Sequence, residues 1–192
     1  MSKAILILTL ASAGLFAQTY EIDTARSTAT FMAKHMMITD VTGRFSNVQG
    51  KVTINEKQPA KSSVEAVIDT TTVNTNLAKR DTHLKSPDFL DIAKYPTMSF
   101  KSTKVYREGS NTRVEGMLTL HGVTKPVTLS IDELGKEIKS EAGTIGRRVV
   151  AKTKISRREF GLLYNKLIET GGVVVGDEIL ITLEIELSRK AS

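Results

Sequence analysis

The chain has 192 residues, 40% hydrophobic and 25% charged, with a formal net charge of +6 and neither cysteine nor tryptophan. That length allows one domain with a real core, and the composition is that of a globular chain rather than a disordered one. The missing cysteines exclude disulfide bracing, a thiol nucleophile and a lipid-modified N-terminal cysteine, so stability must come from burial. The positive excess is scattered, with short pairs only at Arg147-Arg148 and Arg157-Arg158. A nucleic-acid partner, which needs a concentrated basic face with stacking aromatics, is therefore not expected. Transient contact with an anionic membrane surface or head group suits this bias better.

Residues 1–17 read as a cleaved secretory signal. Lys3 supplies the charged start, Ala4 to Ala11 a short apolar run, and Ala13 or Ala17 a cleavage position. The run falls short of the ~20 residues that a membrane span needs. The remaining 18–192 form one domain, expected in the periplasm or outside the cell.

In chain order, Tyr20 to Asp23 is a short strand, and Ala29, Phe31, Ala33 and His35 share one face of the next. Gly43 and Gly50 punctuate a stretch before Val52 and Ile54, which open another alternating strand. A turn at 55–59 leads to the face Val64, Ala66, Ile68. The rhythm breaks over 76–93, where Leu77, Arg80, Asp81, Leu84 and Lys85 carry helical spacing. Pro87 stops that helix, and Ser86 or Asp88 caps a second short one containing Phe89, Leu90 and Ile92. Alternation returns with Met98 and Phe100.

Residues 114–131 form two strands around the reversal His121-Gly122-Val123-Thr124-Lys125-Pro126. Period-two alternation means one wet and one buried face per strand, and a turn sets the pair antiparallel. A polar loop follows, then a strand over 145–155 with Arg147 and Arg148 on opposite faces. Leu162 to Ile168 has room for one or two helical turns. Ile179, Ile181, Leu183, Ile185 and Leu187 make the last strand. The fold class is all-β, and such a sheet must close on itself or stack on a second one.

Several blocks, in this order and spacing, resemble the YceI-like family of exported lipid- and polyisoprenoid-binding proteins. They are Tyr20-x-Ile22-Asp23, Phe31-x-x-x-His35, Gly43-Arg44-Phe45, Arg80-Asp81-x-His83-Leu84, Asp88-Phe89 and Tyr95-Pro96-x-Met98-x-Phe100. Gly116-x-Leu118-Thr119-Leu120-His121-Gly122-Val123-Thr124-Lys125-Pro126-Val127, Arg158-x-Phe160-Gly161 and Val175-Gly176-Asp177 complete the set. Arg26-Ser27 departs from the His-Ser frequent in the family, so no role is carried onto it. The resemblance implies an extended, antiparallel, lipocalin-like β-barrel of about eight strands with a short helical insertion. It also implies a bound polyisoprenoid, isoprenoid quinone or fatty-acid derivative, with no other cofactor.

Strand parity gives the expected barrel lining: Phe31, Ala33, Ile68, Phe89, Met98, Phe100, Leu118, Leu120, Ile181 and Leu183. Small inward residues (Ala29, Ala33, Ala66, Gly116, Ala151) would leave space between them. His35, Arg80 and Arg158 are candidate head-group or rim residues, with Arg80-Asp81 also readable as an ion pair that pins the helix over a barrel end. No Gly-x-Ser-x-Gly elbow, phosphate loop or His-Glu-x-x-His occurs, so neither catalysis nor a metal site is expected. The alternatives are a lipid-modifying enzyme using His35, His83 and His121, and a β-domain that works through a protein partner.

Overall fold

Alternating apolar and polar residues drive the described chain, residues 17–35, 39–165 and 175–191 of this computed structural model, into long antiparallel strands. Strands β1 (Gln18–Ile22) and β2 (Thr28–His35) are one strand interrupted by a turn, and β3 (Thr39–Phe45) and β4 (Val48–Ile54) are another, interrupted at Ser46-Asn47. Next come β5 (Ser63–Asp69), the helix α1 (Ala78–Lys85), β6 (Thr97–Glu108), β7 (Asn111–Leu120) and β8 (Val123–Leu134). The short β9 (Ile138–Lys139), then β10 (Thr144–Ser156) and β11 (Val175–Lys190), complete the order.

β11 closes the ring. One of its edges pairs with all of β10, and the other pairs first with β2 and then, from Leu187, with β1. With each interrupted pair counted once, eight antiparallel strands run round a closed barrel, as the residue pattern and the family resemblance imply. One mouth, the helix end, carries α1, the β7–β8 turn and a 3-10 turn at Arg157–Phe160. The opposite mouth, the far end, carries the β4–β5 turn and β9.

Four local expectations are corrected. The β7–β8 reversal is only His121-Gly122, with φ of 51° and 72°. Two positive φ values in a two-residue loop match the right-handed twist of the flanking strands. Pro126 stands within β8, opposite Met117. It is tolerated because β10 pairs with β8 only over Ser130 to Leu134, so no second ladder needs its missing N–H. Gly43 and Gly50 lie inside β3 and β4 rather than between strands. The expected second helix is instead a run of turns over 87–94, with Asp91 at φ 44° and its carbonyl accepting from the Lys94 and Tyr95 amides. The expected helical turns are not present over 162–165, and the rest of that segment, like the expected signal over residues 1–16, lies outside the described residues.

Candidate functional site: an apolar tunnel with two different ends

The inward faces do not meet in the middle. They enclose a cavity of about 300 Å³ that runs from Asn55 and Pro59 at the far end to Leu84, Leu90 and Leu162 at the helix end. All ten residues expected on the lining stand on its wall, as do Ala29, Ala66 and Ala151. Phe89 and Leu120, under the helix, are buried. Phe31, Ala33, Ile68, Met98, Phe100, Leu118, Ile181 and Leu183 point inward yet are only half-buried. An inward side chain that keeps accessible surface borders a hollow. Its polar neighbours collect near the ends, among them Asn55, Glu56, Ser62 and Arg107 at the far one. A volume of this size, with apolar walls and few polar groups, suits a hydrocarbon more than a hydrated molecule.

At the helix end the cover is held by contacts that carry almost no net charge pairing. Thr75 is the hinge pin. Its amide and hydroxyl donate to Asp81 Oδ1 at 2.8 and 2.6 Å, while Arg80 Nε donates to Thr75 Oγ1 at 2.7 Å and Nη2 to Thr75 O at 2.8 Å. Arg80 and Asp81 thus grip a shared threonine rather than each other, which corrects the expected direct ion pair. The His83 ring packs edge-on against both Phe89 and Tyr164, with centroids 4.9 and 4.8 Å away. His83 Nε2 also lies 3.0 Å from Asp88 Oδ2. These rings close the gap between α1 and the segment after the 3-10 turn.

Arg157, not Arg158, is the arginine built into this end. It is 3% exposed and has no carboxylate in hydrogen-bond contact. Its guanidinium donates instead to four backbone carbonyls: Gly176 at 2.9 Å, Tyr164 at 3.0 Å, Val175 at 3.1 Å, and Leu162. Burial lowers its pKa from the ordinary arginine value, with the nearby Asp177 charge opposing. Arg158 is exposed; its backbone amide donates to Asp177 and its carbonyl accepts from the Gly161 amide. What separates the two arginines is the 3-10 turn, which abandons strand alternation at Ser156.

The three histidines all fall at the helix end, though in separate settings. A ring N–H of His121 donates to the Phe160 carbonyl at 3.3 Å, and the ring packs on Tyr95 at 4.7 Å. His35 ends β2, opposite Val175 and Thr39. Among the described residues, no group of three His, Asp or Glu side chains is arranged to hold a metal ion.

The far end is built on ion pairs. Arg147, 7% exposed, donates from Nε to the Gly135 carbonyl at 2.7 Å and pairs with Glu56 at 2.8 Å. The buried Tyr20 hydroxyl donates to Glu137, which Arg189 Nη2 also reaches at 3.0 Å, with the Arg189 guanidinium over the Tyr20 ring. The Tyr20 hydroxyl, with help from Arg189, holds the Glu137 carboxyl below the ordinary carboxylate range against the opposing effect of burial. Burial, then the adjoining Glu137, pushes the Tyr20 phenol up. None of this was expected from the sequence, because Tyr20, Glu137 and Arg189 are brought together only by closure.

Arg26, at the departure from the family pattern, pairs with Asp23 at 2.8 Å on the surface, and buried Ser27 bridges to the Glu186 backbone. No helix among the described residues is long and apolar enough to cross a membrane.

Comparison with known proteins points one way. A family model described as a YceI-like domain matches residues 20–187. The protein YceI of Escherichia coli O157:H7 is 42% identical over 143 residues, which cover 71% of this chain and 75% of that protein. The structure of BcnA from Burkholderia cenocepacia is 22% identical with a TM-score of 0.69, covering 86% of this chain and 98% of that one. A polyisoprenoid binding domain from Saccharophagus degradans implicated in plant cell wall breakdown is 18% identical with a TM-score of 0.61, covering 90% and 98%. At those identities the two structures speak for the fold.

Proposed function

The chain belongs to the YceI-like family, and on that footing we propose that it is an exported, non-enzymatic carrier enclosing a long-chain amphiphile in its barrel. The ligand class is a polyisoprenoid, an isoprenoid quinone or a fatty-acid derivative. One observation carries the reading: inward apolar side chains that remain half-exposed around a cavity of about 300 Å³. The structural likeness to the Saccharophagus degradans polyisoprenoid binding domain supports the same class.

The energetics need little else. Transfer of hydrocarbon from water gains roughly 0.8 kcal/mol per methylene. A ten-carbon tail therefore offers on the order of 8 kcal/mol before the costs of association. Selectivity then follows the shape of the tunnel more than head-group chemistry. The helix end serves as the way in, because its cover meets through the ring edges of His83, Phe89 and Tyr164, whose parting exposes mainly apolar surface. The apolar leader would place the mature protein in the periplasm or outside the cell.

Native mass spectrometry of protein made in cells tests this directly. A non-covalent adduct with the mass of a prenyl or acyl lipid is expected. Repeated recovery of empty protein that also takes up no such lipid in vitro would overturn the reading. Leu118→Trp, which thrusts an indole into the cavity, should abolish the adduct while the circular dichroism spectrum of the barrel persists.

A further inference from the structure

Two large rings on the tunnel wall each sit against a glycine of the neighbouring strand. Phe31 of β2 stands directly opposite Gly43 of β3. A Cβ built on Gly43 would collide with Phe31 Cζ and sit 2.7 Å from Phe31 Cε1 and 2.7 Å from Thr75 Cγ2. Phe100 of β6 lies over Gly116 of β7 in the same manner, where a Cβ would collide with Phe100 Cζ and sit 2.7 Å from Cε2. Neither glycine has a positive φ. Backbone conformation therefore does not call for glycine at either position; the seated ring does. The two ring–glycine pairs stand three strands apart round a barrel of eight, so they set the width from different walls.

We propose that Gly43 and Gly116 fix the bore of the tunnel, and that the width they preserve is what admits a methyl-branched, isoprenoid chain. This rests on the carrier reading above and sharpens its ligand class. A straight alkyl chain presents one methylene of width along its length. An isoprenoid carries a side methyl on every fourth carbon and needs room beside the main chain throughout. A methyl at residue 43 fills the niche, so the Phe31 ring must swing toward the lumen and take that room. The branched chain loses its place first, because steric rejection rises steeply once contacts fall inside van der Waals distance.

Gly43→Ala is the cleaner variant, since its nearest neighbours are side-chain atoms, whereas at Gly116 a Cβ would also sit 2.6 Å from the Lys101 carbonyl. Delipidated wild type and Gly43→Ala are titrated with farnesol and with hexadecanol, which share a hydroxyl head and differ in branching. Gly43→Ala should lose about tenfold in farnesol affinity, a methyl-sized discrimination, and much less for hexadecanol. Phe31→Leu combined with Gly43→Ala should regain farnesol binding to the level of Phe31→Leu alone, because the displaced ring is gone. A crystal structure of Gly43→Ala should show Phe31 moved off the β3 wall. An unchanged farnesol-to-hexadecanol ratio, or a ring still seated over residue 43, overturns the inference. Should the wild type take up neither alcohol, the carrier reading fails, and the ring position in the crystal decides the bore by itself.

Discussion

The two ends of the barrel are closed by opposite chemistry. At the far end, Arg147 meets Glu56 and Arg189 meets Glu137, so positive groups face negative ones across the last turns of the strands. At the helix end, Arg157 is as deeply buried but answers only to carbonyl oxygens, and the cover above it is made of His83, Phe89 and Tyr164 rings. Separating an ion pair in a part-buried setting strands two charges, whereas separating aromatic edges exposes only apolar surface. The far end is thus joined through ion pairs, and the cover at the helix end through ring edges.

The contrast can be broken most severely at Arg157. Arg157→Leu strands four carbonyls at once and should cost about 3–5 kcal/mol, read as a lower urea midpoint. A loss under 1 kcal/mol would mean that water replaces the guanidinium at no cost. Arg147→Met at the other end frees the Gly135 carbonyl and leaves Glu56, largely exposed, to solvent. Its expected cost is smaller, about 1–3 kcal/mol. His83→Ala removes two edge-on ring contacts, worth about 0.5–1.5 kcal/mol each at most. Its more telling effect is faster release of bound lipid, and an unaltered release rate would move the way in to the far end.

Proton binding sharpens the same comparison. The Glu137 carboxyl sits below its ordinary pKa. Its stabilising contribution is therefore present above the unfolded carboxylate pKa and is lost as the pH falls through the depressed folded value. The Tyr20 phenol is raised, so its contribution holds below the unfolded phenol pKa and is lost as the pH rises through the folded one. Glu137→Gln should flatten the acid limb of a stability–pH curve, and Tyr20→Phe the alkaline limb. An unaltered profile in both would show the far end to be held by packing alone. The smallest effect belongs to Arg158→Ala, within about 0.5 kcal/mol of wild type.

Much of the barrel could be read before folding because a strand buried on one face writes its own orientation into parity. Leu118, Leu120, Ile181 and Leu183 needed no partner to be placed on the lining. β3 escaped notice since Thr39, Asp40 and Thr42 give it a polar cast and its inward glycine carries no hydrophobic signal. The burial of Arg157 had no signal for a related reason: a single 3-10 turn resets the phase, and alternation cannot be counted across it. The Tyr20–Glu137–Arg189 cluster had no local signature at all. Its members are separated by most of the chain, and only barrel closure brings the three into one hydrogen-bonded cluster.

The last strand is also the one that completes the circle. All of β10, the whole described pairing edge of β2 and the end of β1 find their neighbours on β11. Until residues 175–190 have been made, the polypeptide is an open sheet with free margins and no inside. Contacts between the first and last segments are the slowest kind to form, because a long loop must be drawn together before they repay its entropy. Closure of the barrel, and with it any enclosed interior, therefore waits on the last strand.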